Sequence, residues 1–246
     1  MNTLTKSDLN FVLSRCPKDI RNKLKKHASY LFLAGGFIRS TISGEPVSDV
    51  DLFGESKEAL LAIAKDLALD RRGRYFTTDN AITVLAPPRH PVQLITRWTF
   101  RDPCTLIESF DFTVCQAVIW AESLISPGGA TYRFHSLCSE SFYSDLAARR
   151  LVYTYPVREE AAGGSLMRVM KFVKKGWKIQ APSIAGVVSR LVMKLNADAI
   201  SKSVGISGDS RETVVANILS GLLREVDPLI LVDGVDFVDE HEVING

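Results

Sequence analysis

Two aspartates separated by one residue, Asp49 and Asp51, are the residues of this 246-residue chain best suited to chemistry. They lie in the stretch Ser48-Asp-Val-Asp-Leu-Phe53, which is predicted to be a strand, and alternate strand residues point to the same face. Their carboxylates are therefore expected to project together, about 7 Å apart along the backbone. Two like charges this close repel unless a cation lies between them, and Mg²⁺ (or Mn²⁺) is the ion that such oxygens suit.

A pair of glycines, Gly35 and Gly36, precedes the aspartates and predicts a phosphate-binding turn. Glycine lets the backbone approach a ligand closely, and a helix after the turn presents free N–H groups and the positive end of its dipole. Arg39, in the first turn of that helix, adds a positive charge. No Gly-Lys-Ser/Thr follows the glycines, which argues against a Walker-type phosphate loop. One strand–turn–helix–strand unit therefore offers a phosphate cradle beside a metal-binding carboxylate pair.

The combination of Gly-Gly-x-x-Arg at 35–39 and Ser-Asp-x-Asp-Leu-Phe at 48–53 resembles the signature of the nucleotidyltransferase superfamily built on the DNA polymerase β palm. The branch that it resembles most is the head domain of poly(A) polymerases and tRNA CCA-adding enzymes. The resemblance implies an α+β fold, in which a small mixed sheet with flanking helices is followed by a small helical domain. It places the head (palm) domain at 1–140 and a neck-like domain with an acidic end at 141–246. It also implies that Gly35, Gly36 and Ser48 hold the triphosphate.

The resemblance implies a third carboxylate on a strand beside the aspartate pair, and two positions compete for this role. Many relatives carry it on the strand corresponding to 92–94, where this chain has the neutral Gln93. The segment that begins at Asp111, Asp-Phe-Thr-Val-Cys-Gln-Ala, resembles the CCA-adding motif Asp-Phe-Thr-Ile-Asn-Ala. Asp111 is favoured as the third catalytic and metal-binding carboxylate, and a merely hydrogen-bonded aspartate is the alternative. If Gln93 is the true equivalent, the site has lost a charge and catalysis itself is in question.

A basic helix is predicted over 165–177, where Arg168, Lys171 and Lys175 are three and four residues apart and share one face. The predicted apolar face consists of Met167, Met170 and Val173. The segment resembles the neck helix of the same enzymes, which faces the nucleotide. The family carries an arginine at the position of Ser165, so only Arg168 and Lys171 carry over as nucleotide-binding residues.

Periodicity and capping residues predict the elements around the site. Helices are predicted twice within 5–28, over 55–69 with Ser56 as N-cap, near 104–109, from 143, and over 183–200 and 211–225. Strands are predicted over 74–85, 92–96 and 110–120. The acidic stretch 227–242 lacks calcium-loop spacing and is expected to be a solvated extension or an irregular edge.

Composition places the chain among ordinary globular proteins, with a net charge of +2. Basic clusters at 21–26, 71–74, 149–150 and 171–178 could attract nucleic acid or could be solvated helix faces. The four scattered cysteines contain no Cys-x-x-Cys, which argues against a zinc ribbon. The absence of a long apolar run predicts no membrane partner and a cytoplasmic location.

These features predict a nucleotidyltransferase that moves an NMP from an NTP such as ATP to an acceptor hydroxyl, releasing pyrophosphate, with two Mg²⁺ ions held by Asp49, Asp51 and Asp111. The first acceptor class is an RNA 3′ end, such as that of tRNA. The second is a protein or a small molecule, because the residues after about 180 are too few for the family's RNA-binding body. A non-catalytic nucleotide- or RNA-binding module is the third hypothesis, and Gln93 is its basis.

Overall fold

The computed structural model describes residues 1–126, 129–156, 163–193 and 195–224, and the chain forms two compact units, Met1–Val157 and Arg158–Gly246. The helices of the first unit are α1 (Lys6–Arg15), α2 (Lys18–Lys26), α3 (Gly36–Ser43), α4 (Lys57–Arg71), α5 (Pro103–Glu108) and α6 (Phe142–Ala147), with a 3-10 helix at Thr113–Cys115. Its strands are β1 (Leu31–Ala34), β2 (Val50–Gly54), β3 (Arg74–Thr77), β4 (Ala81–Leu85), β5 (Val92–Ile95), β6 (Ala117–Ser126), β7 (Gly129–Cys138) and β8 (Arg150–Leu151). The predicted head and neck-like domains, with their division after residue 140, stay predictions.

A seven-stranded mixed sheet is the centre of the first unit, with the strand order β3-β4-β5-β2-β1-β6-β7. Strands β2 and β5 run parallel, and the other neighbouring pairs of this sheet run antiparallel. A parallel pair needs a crossover connection, and α4 with the β3–β4 hairpin supplies it. The sheet and its flanking helices confirm the predicted α+β architecture.

The two faces of β2 are covered by different helices. Alternation along the strand places Asp51 and Phe53 on one face and Gly54 on the other. Phe53 packs in a core cluster with Leu106 of α5, whereas Leu60 of α4 lies against Gly54, where an added β-carbon would be 3.0 Å from the leucine Cδ2. Helix α5 therefore packs on the face that carries Asp51, and α4 packs on the opposite face.

The structure differs from the predicted strands at two places. The segment 74–85 is a hairpin, because the polar residues Thr78 to Asn80 form a turn in which the Thr78 N–H donates to the Ala81 carbonyl at 2.9 Å. The strand predicted to begin at 110 begins at Ala117. The chain before it turns through i to i−3 hydrogen bonds, from Cys115 to Phe112 and from Gln116 to Thr113.

The second unit consists of α7 (Gly164–Lys174), β9 (Lys178–Ile179), α8 (Ala181–Val192), α9 (Ala197–Ser207) and α10 (Arg211–Arg224). The helix predicted over 183–200 is therefore two helices. Within the parts of the chain that the structure describes, no helix has the length and apolar character needed to cross a bilayer. The predicted acidic extension at 227–242 lies outside the described residues.

Candidate active site

The glycine turn joins β1 directly to α3. All four residues of β1 are buried, and the strand ends at Ala34. Gly35 follows it, with a φ of 77° and a ψ of −129°, a region that side-chain-bearing residues rarely adopt. A β-carbon on Gly35 would be 3.8 Å from Asp51 Oδ2 and 3.4 Å from the ring of Phe110. The missing side chain therefore lets the backbone of the turn lie close to the carboxylate.

The N-terminus of α3 faces no capping side chain. Gly35 is its N-cap residue and its carbonyl accepts the first helical hydrogen bond, from the Arg39 N–H at 3.3 Å. The N–H groups of Gly36, Phe37 and Ile38 have no backbone acceptor among the described residues. Such groups, together with the positive end of the helix dipole, can bind a phosphate.

The aspartate pair spans the start of β2. Asp51 lies on the strand, and Asp49 lies one residue before it, so the predicted strand begins at Val50. The exposed Ser48 donates a hydrogen bond from Oγ to Asp49 Oδ1 at 2.7 Å. The carboxylate of Asp51, in contrast, makes no hydrogen bond or ion pair with any described residue.

The surroundings of Asp51 disfavour the ionised form of its carboxylate. Burial raises the pKa of Asp51 well above its usual range, and the neighbouring charge of Asp49 raises it further. The Arg39 guanidinium acts in the opposite direction and is the smallest of the three effects. A cation at this carboxylate would offset both unfavourable effects.

Arg39 is buried beside the first turn of α3. Its Nη2 lies 3.2 Å from Ser40 Oγ and its Nη1 lies 3.7 Å from Cys115 Sγ. A β-carbon on Gly36 would be 3.6 Å from the same Nη2. The guanidinium is therefore held behind the glycine turn, where it adds positive charge near Asp51. Cys115 and Phe110 were not expected at the site, because neither contact can be read from local sequence spacing.

Gln93 is the strand neighbour of Asp51. In the parallel β2–β5 pair Asp51 is in register with Gln93, and on its far side Gln93 pairs with Thr83 of β4. Registered partners present their side chains to the same face of a sheet. The half-buried carboxamide of Gln93 therefore lies beside the aspartate pair Asp49 and Asp51 (the dyad), at one of the two positions considered for a third carboxylate.

Asp111 has a different environment. It is buried, it lies before the 3-10 helix rather than on a strand, and its carbonyl accepts a hydrogen bond from the Thr154 N–H at 3.0 Å. Among the described residues, no three His, Cys, Asp or Glu side chains are grouped so that they could hold a metal ion. Asp111 therefore does not form such a metal-binding group with Asp49 and Asp51, and its role as third carboxylate stays a prediction.

Arg168 and Lys171 lie on α7 in the second unit, and both side chains are partly buried. Their predicted contact with the nucleotide stays a prediction. On the predicted apolar face of this helix, Met170 and Val173 are each 49% exposed, whereas Met167 is buried. The buried positions of α7 are Gly164, Ser165, Met167, Val169 and Phe172.

Ion pairs neutralise some of the positive charge that could attract nucleic acid. The pairs join Lys23 to Asp66 and Asp70, Lys26 to Asp66, Arg71 to Asp19, Arg149 to Glu45 and Arg150 to Asp145. Lys23 and Arg71 are also buried. Part of the charge of the clusters at 21–26, 71–74 and 149–150 is therefore paired within the fold, whereas Lys26, Arg72 and Arg74 remain exposed.

The donor set of the site fits a hard divalent cation. Asp49 and Asp51 supply carboxylate oxygens, and Mg²⁺ is commonly held by one or two carboxylates together with substrate phosphates. The carboxylate of Asp51 lies partly buried, and the Arg39 guanidinium offsets only part of the unfavourable effects on its charge. These two residues are therefore the part of the predicted metal site that the geometry brings together.

Comparison with known proteins gives one family and one fold. The family model described as Gabija anti-defense 2 family protein (Gad2) matches residues 3–149, which include the glycine turn, the dyad and Gln93. No curated protein matches the sequence significantly.

Solved structures of CCA-adding enzymes share the fold. The Thermotoga maritima CCA-adding enzyme in complex with tRNA aligns with a TM-score of 0.51 at 12% identity, over 88% of this chain and 54% of that one. A complex of a CCA-adding enzyme with ATP aligns with a TM-score of 0.52, also at 12% identity and with the same coverage. A complex with CTP aligns at 0.51 and 14% identity, over 72% of this chain and 44% of that one. The chain thus has the nucleotidyltransferase fold and spans about half the length of these enzymes.

Proposed function

The chain belongs to the Gabija anti-defense 2 family, and we propose that it is a metal-dependent nucleotidyltransferase. It would transfer an NMP from an NTP to an acceptor hydroxyl and release pyrophosphate. One observation carries this proposal: Gly35 brings the N-terminus of α3 next to Asp51, since its β-carbon position is 3.8 Å from Oδ2. A phosphate-binding backbone and a carboxylate pair therefore meet at one point, which suits a nucleoside triphosphate with its metal ion.

The residues of the first unit have separate roles in this proposal. The N–H groups of Gly36 and the next two residues hold the triphosphate, and the buried Arg39 adds positive charge behind them. Asp49 and Asp51 would hold Mg²⁺ or Mn²⁺, which neutralises phosphate charge and makes the pyrophosphate a better leaving group. Ser48 orients Asp49 through its 2.7 Å hydrogen bond.

The transfer joins the acceptor oxygen to the α-phosphorus and breaks the bond from that phosphorus to the pyrophosphate oxygen. The proton of the acceptor hydroxyl leaves to solvent, and the pyrophosphate carries the electron pair of the broken bond. The protein contributes position and electrostatics rather than a covalent intermediate. Arg168 and Lys171 remain candidates for binding the nucleotide or the acceptor.

An RNA 3′ end is the first acceptor class that we propose, because the fold is shared with enzymes solved in complex with tRNA and with nucleotides. A second class is a protein or a small molecule. Two observations favour it: the family description is one of anti-defense, and ion pairs neutralise part of the charge in three of the basic clusters. In that case the acceptor would be a component of the opposed defence.

The test is a transfer assay with each α-labelled NTP, Mg²⁺ or Mn²⁺, and either total RNA or a bacterial lysate. The double variant Asp49→Asn/Asp51→Asn should lose transfer, and Asp79→Asn, at an exposed turn, is the matched control that should keep it. Label on RNA identifies the first acceptor class, and label on protein or a small molecule identifies the second. Nucleotide binding without any dyad-dependent transfer would contradict the enzymatic proposal and favour a binding module, for which the neutral Gln93 is the structural reason.

A further inference from the structure

The number of cations that Asp49 and Asp51 can hold depends on residue 93, one of the two positions considered for a third carboxylate. Asp51 and Gln93 are registered partners across the parallel β2–β5 pair. Neighbouring strands are about 4.8 Å apart, so an ion bound by one of these side chains lies within reach of the other. Residue 93 is therefore placed to decide whether a second cation can bind beside the first.

Gln93 supplies this position with an oxygen but with no charge. A carboxamide oxygen can coordinate a hard cation, yet it does not offset the repulsion between two divalent ions. The side chain is half-buried and makes no hydrogen bond with any described residue, so its carboxamide is available to face the dyad. Thr83, its partner on β4, is also neutral.

The fixed charge around the dyad is small. Asp49 and Asp51 contribute two negative charges, and the buried Arg39 guanidinium lies near enough to Asp51 to offset part of them. Within the part of the chain that the structure describes, no third acidic, histidine or cysteine side chain completes a metal-binding group with the pair. The triphosphate and the dyad together supply anionic ligands for one ion, whereas a second ion on the acceptor side, about 4 Å away, would have only the shared dyad and the neutral Gln93 as side-chain ligands.

We infer that the site binds one divalent cation, between the dyad and the nucleotide, and that Gln93 sets this number. The inference rests on the proposed function only for the location of the nucleotide. Glutamate has the same length as glutamine, so Gln93→Glu adds the missing charge without a change of shape. The variant should hold a pair of cations.

The experiment is low-temperature electron paramagnetic resonance of the full chain with Mn²⁺ and a non-hydrolysable NTP analogue. Two Mn²⁺ ions about 4 Å apart give a spin-coupled spectrum, whereas single ions do not. The wild type should give only the single-ion spectrum, and Gln93→Glu should give the coupled one. Without nucleotide, Gln93→Glu should bind Mn²⁺ at least about tenfold more tightly than the wild type.

Matched variants distinguish the effect of the charge at position 93 from the effects of side-chain shape and of impaired folding. Gln93→Met keeps the length without a charge and should remain a single-ion protein. Adding Asp51→Asn to Gln93→Glu should return the spectrum to that of a single ion, and Gln93→Asp is a second acidic variant in case glutamate prevents folding.

Three results would overturn the inference. A coupled spectrum from the wild type would refute it and leave the proposed transferase intact. Single-ion spectra from folded acidic variants would also refute it. Wild-type Mn²⁺ binding no stronger than that of Asp49→Asn/Asp51→Asn would overturn both the inference and the metal site of the proposed function.

Discussion

Two inward-facing aspartates of the first unit differ in how their charge is compensated. Asp145 of α6 has no exposed side-chain surface, and it accepts hydrogen bonds from Thr113 Oγ1 at 2.6 Å and from the Arg150 guanidinium at 2.9 and 2.5 Å. Asp51 has no hydrogen-bond donor among the described residues and lies beside a second carboxylate. Asp145 therefore has its partners within the fold, whereas the charge of Asp51 is offset only in part, by Arg39, as we expect of a carboxylate that we propose to bind a cation.

The sharpest way to test this comparison is to measure transfer by the Asp51→Asn variant. Asparagine keeps the shape but removes the charge that would hold the metal, so transfer should fall by about a thousandfold or more. The variant should unfold at the same temperature as the wild type or higher, because the lost carboxylate makes no hydrogen bond or ion pair with any described residue. Full transfer by Asp51→Asn would refute the metal-binding role of the dyad.

Asp145→Ala should have the opposite effect, a loss of stability without a loss of transfer. Removing one partner of a buried ion pair leaves Arg150 and Thr113 unsatisfied and should lower the free energy of unfolding by about 3 kcal/mol or more. Urea unfolding followed by circular dichroism measures this loss. Transfer per folded molecule should remain at the wild-type level, and a selective loss of transfer would show that α6 contributes to the site.

The pH dependence of stability distinguishes Asp51 from the other acidic residues. Because the pKa of Asp51 is raised in the folded state, the folded protein binds that proton more tightly than the unfolded chain does. The wild type should therefore lose stability, relative to Asp51→Asn, as the pH rises from about 4 through the raised pKa. Unfolding curves of the two proteins across this range measure the difference. A constant difference would mean that Asp51 titrates normally, and Mg²⁺ should stabilise only the wild type.

The two glycines of the turn provide a smaller, matched test. Gly35→Ala forces a side chain into a positive φ of 77° and against the Phe110 ring, and should lower the free energy of unfolding by about 1–3 kcal/mol. Gly36→Ala places a β-carbon 3.6 Å from Arg39 Nη2, an ordinary contact, and should be tolerated. Thermal unfolding compares the two variants. Equal losses would mean that the conformation of Gly35 is not the reason for its glycine.

Local sequence signals predicted the core of the site well. The glycine turn, α3 and the α4 helix, whose N-cap Ser56 accepts the Ala59 N–H at 3.1 Å, lie close to where spacing and capping placed them, and β2 begins two residues later than predicted. Each of these features depends on residues only a few positions apart. The aspartate pair was found for the same reason, since its two members are separated by one residue.

Features that depend on distant residues were harder to predict. The apolar run after Asp111 has strand-like composition, yet Thr113 Oγ1 donates to Asp145 and the backbone turns into a 3-10 helix before β6 begins. The pairing of Asp51 with Gln93 depends on the register of two strands separated by α4 and a hairpin. Neither register nor such a side-chain contact is encoded in local periodicity, so the position of Gln93 beside Asp51 could not be read from the sequence alone.

The parallel register of β2 and β5 also has a genetic consequence. Glutamine and glutamate codons differ only in their first base, so a single nucleotide change at position 93 would alter the charge beside Asp51 without touching the dyad. The change would leave strand length and side-chain size intact, so the fold would present little barrier to it. A lineage with this site could therefore change between binding one cation and binding two in a single mutational step. A library restricted to codon 93 would contain proteins of both kinds.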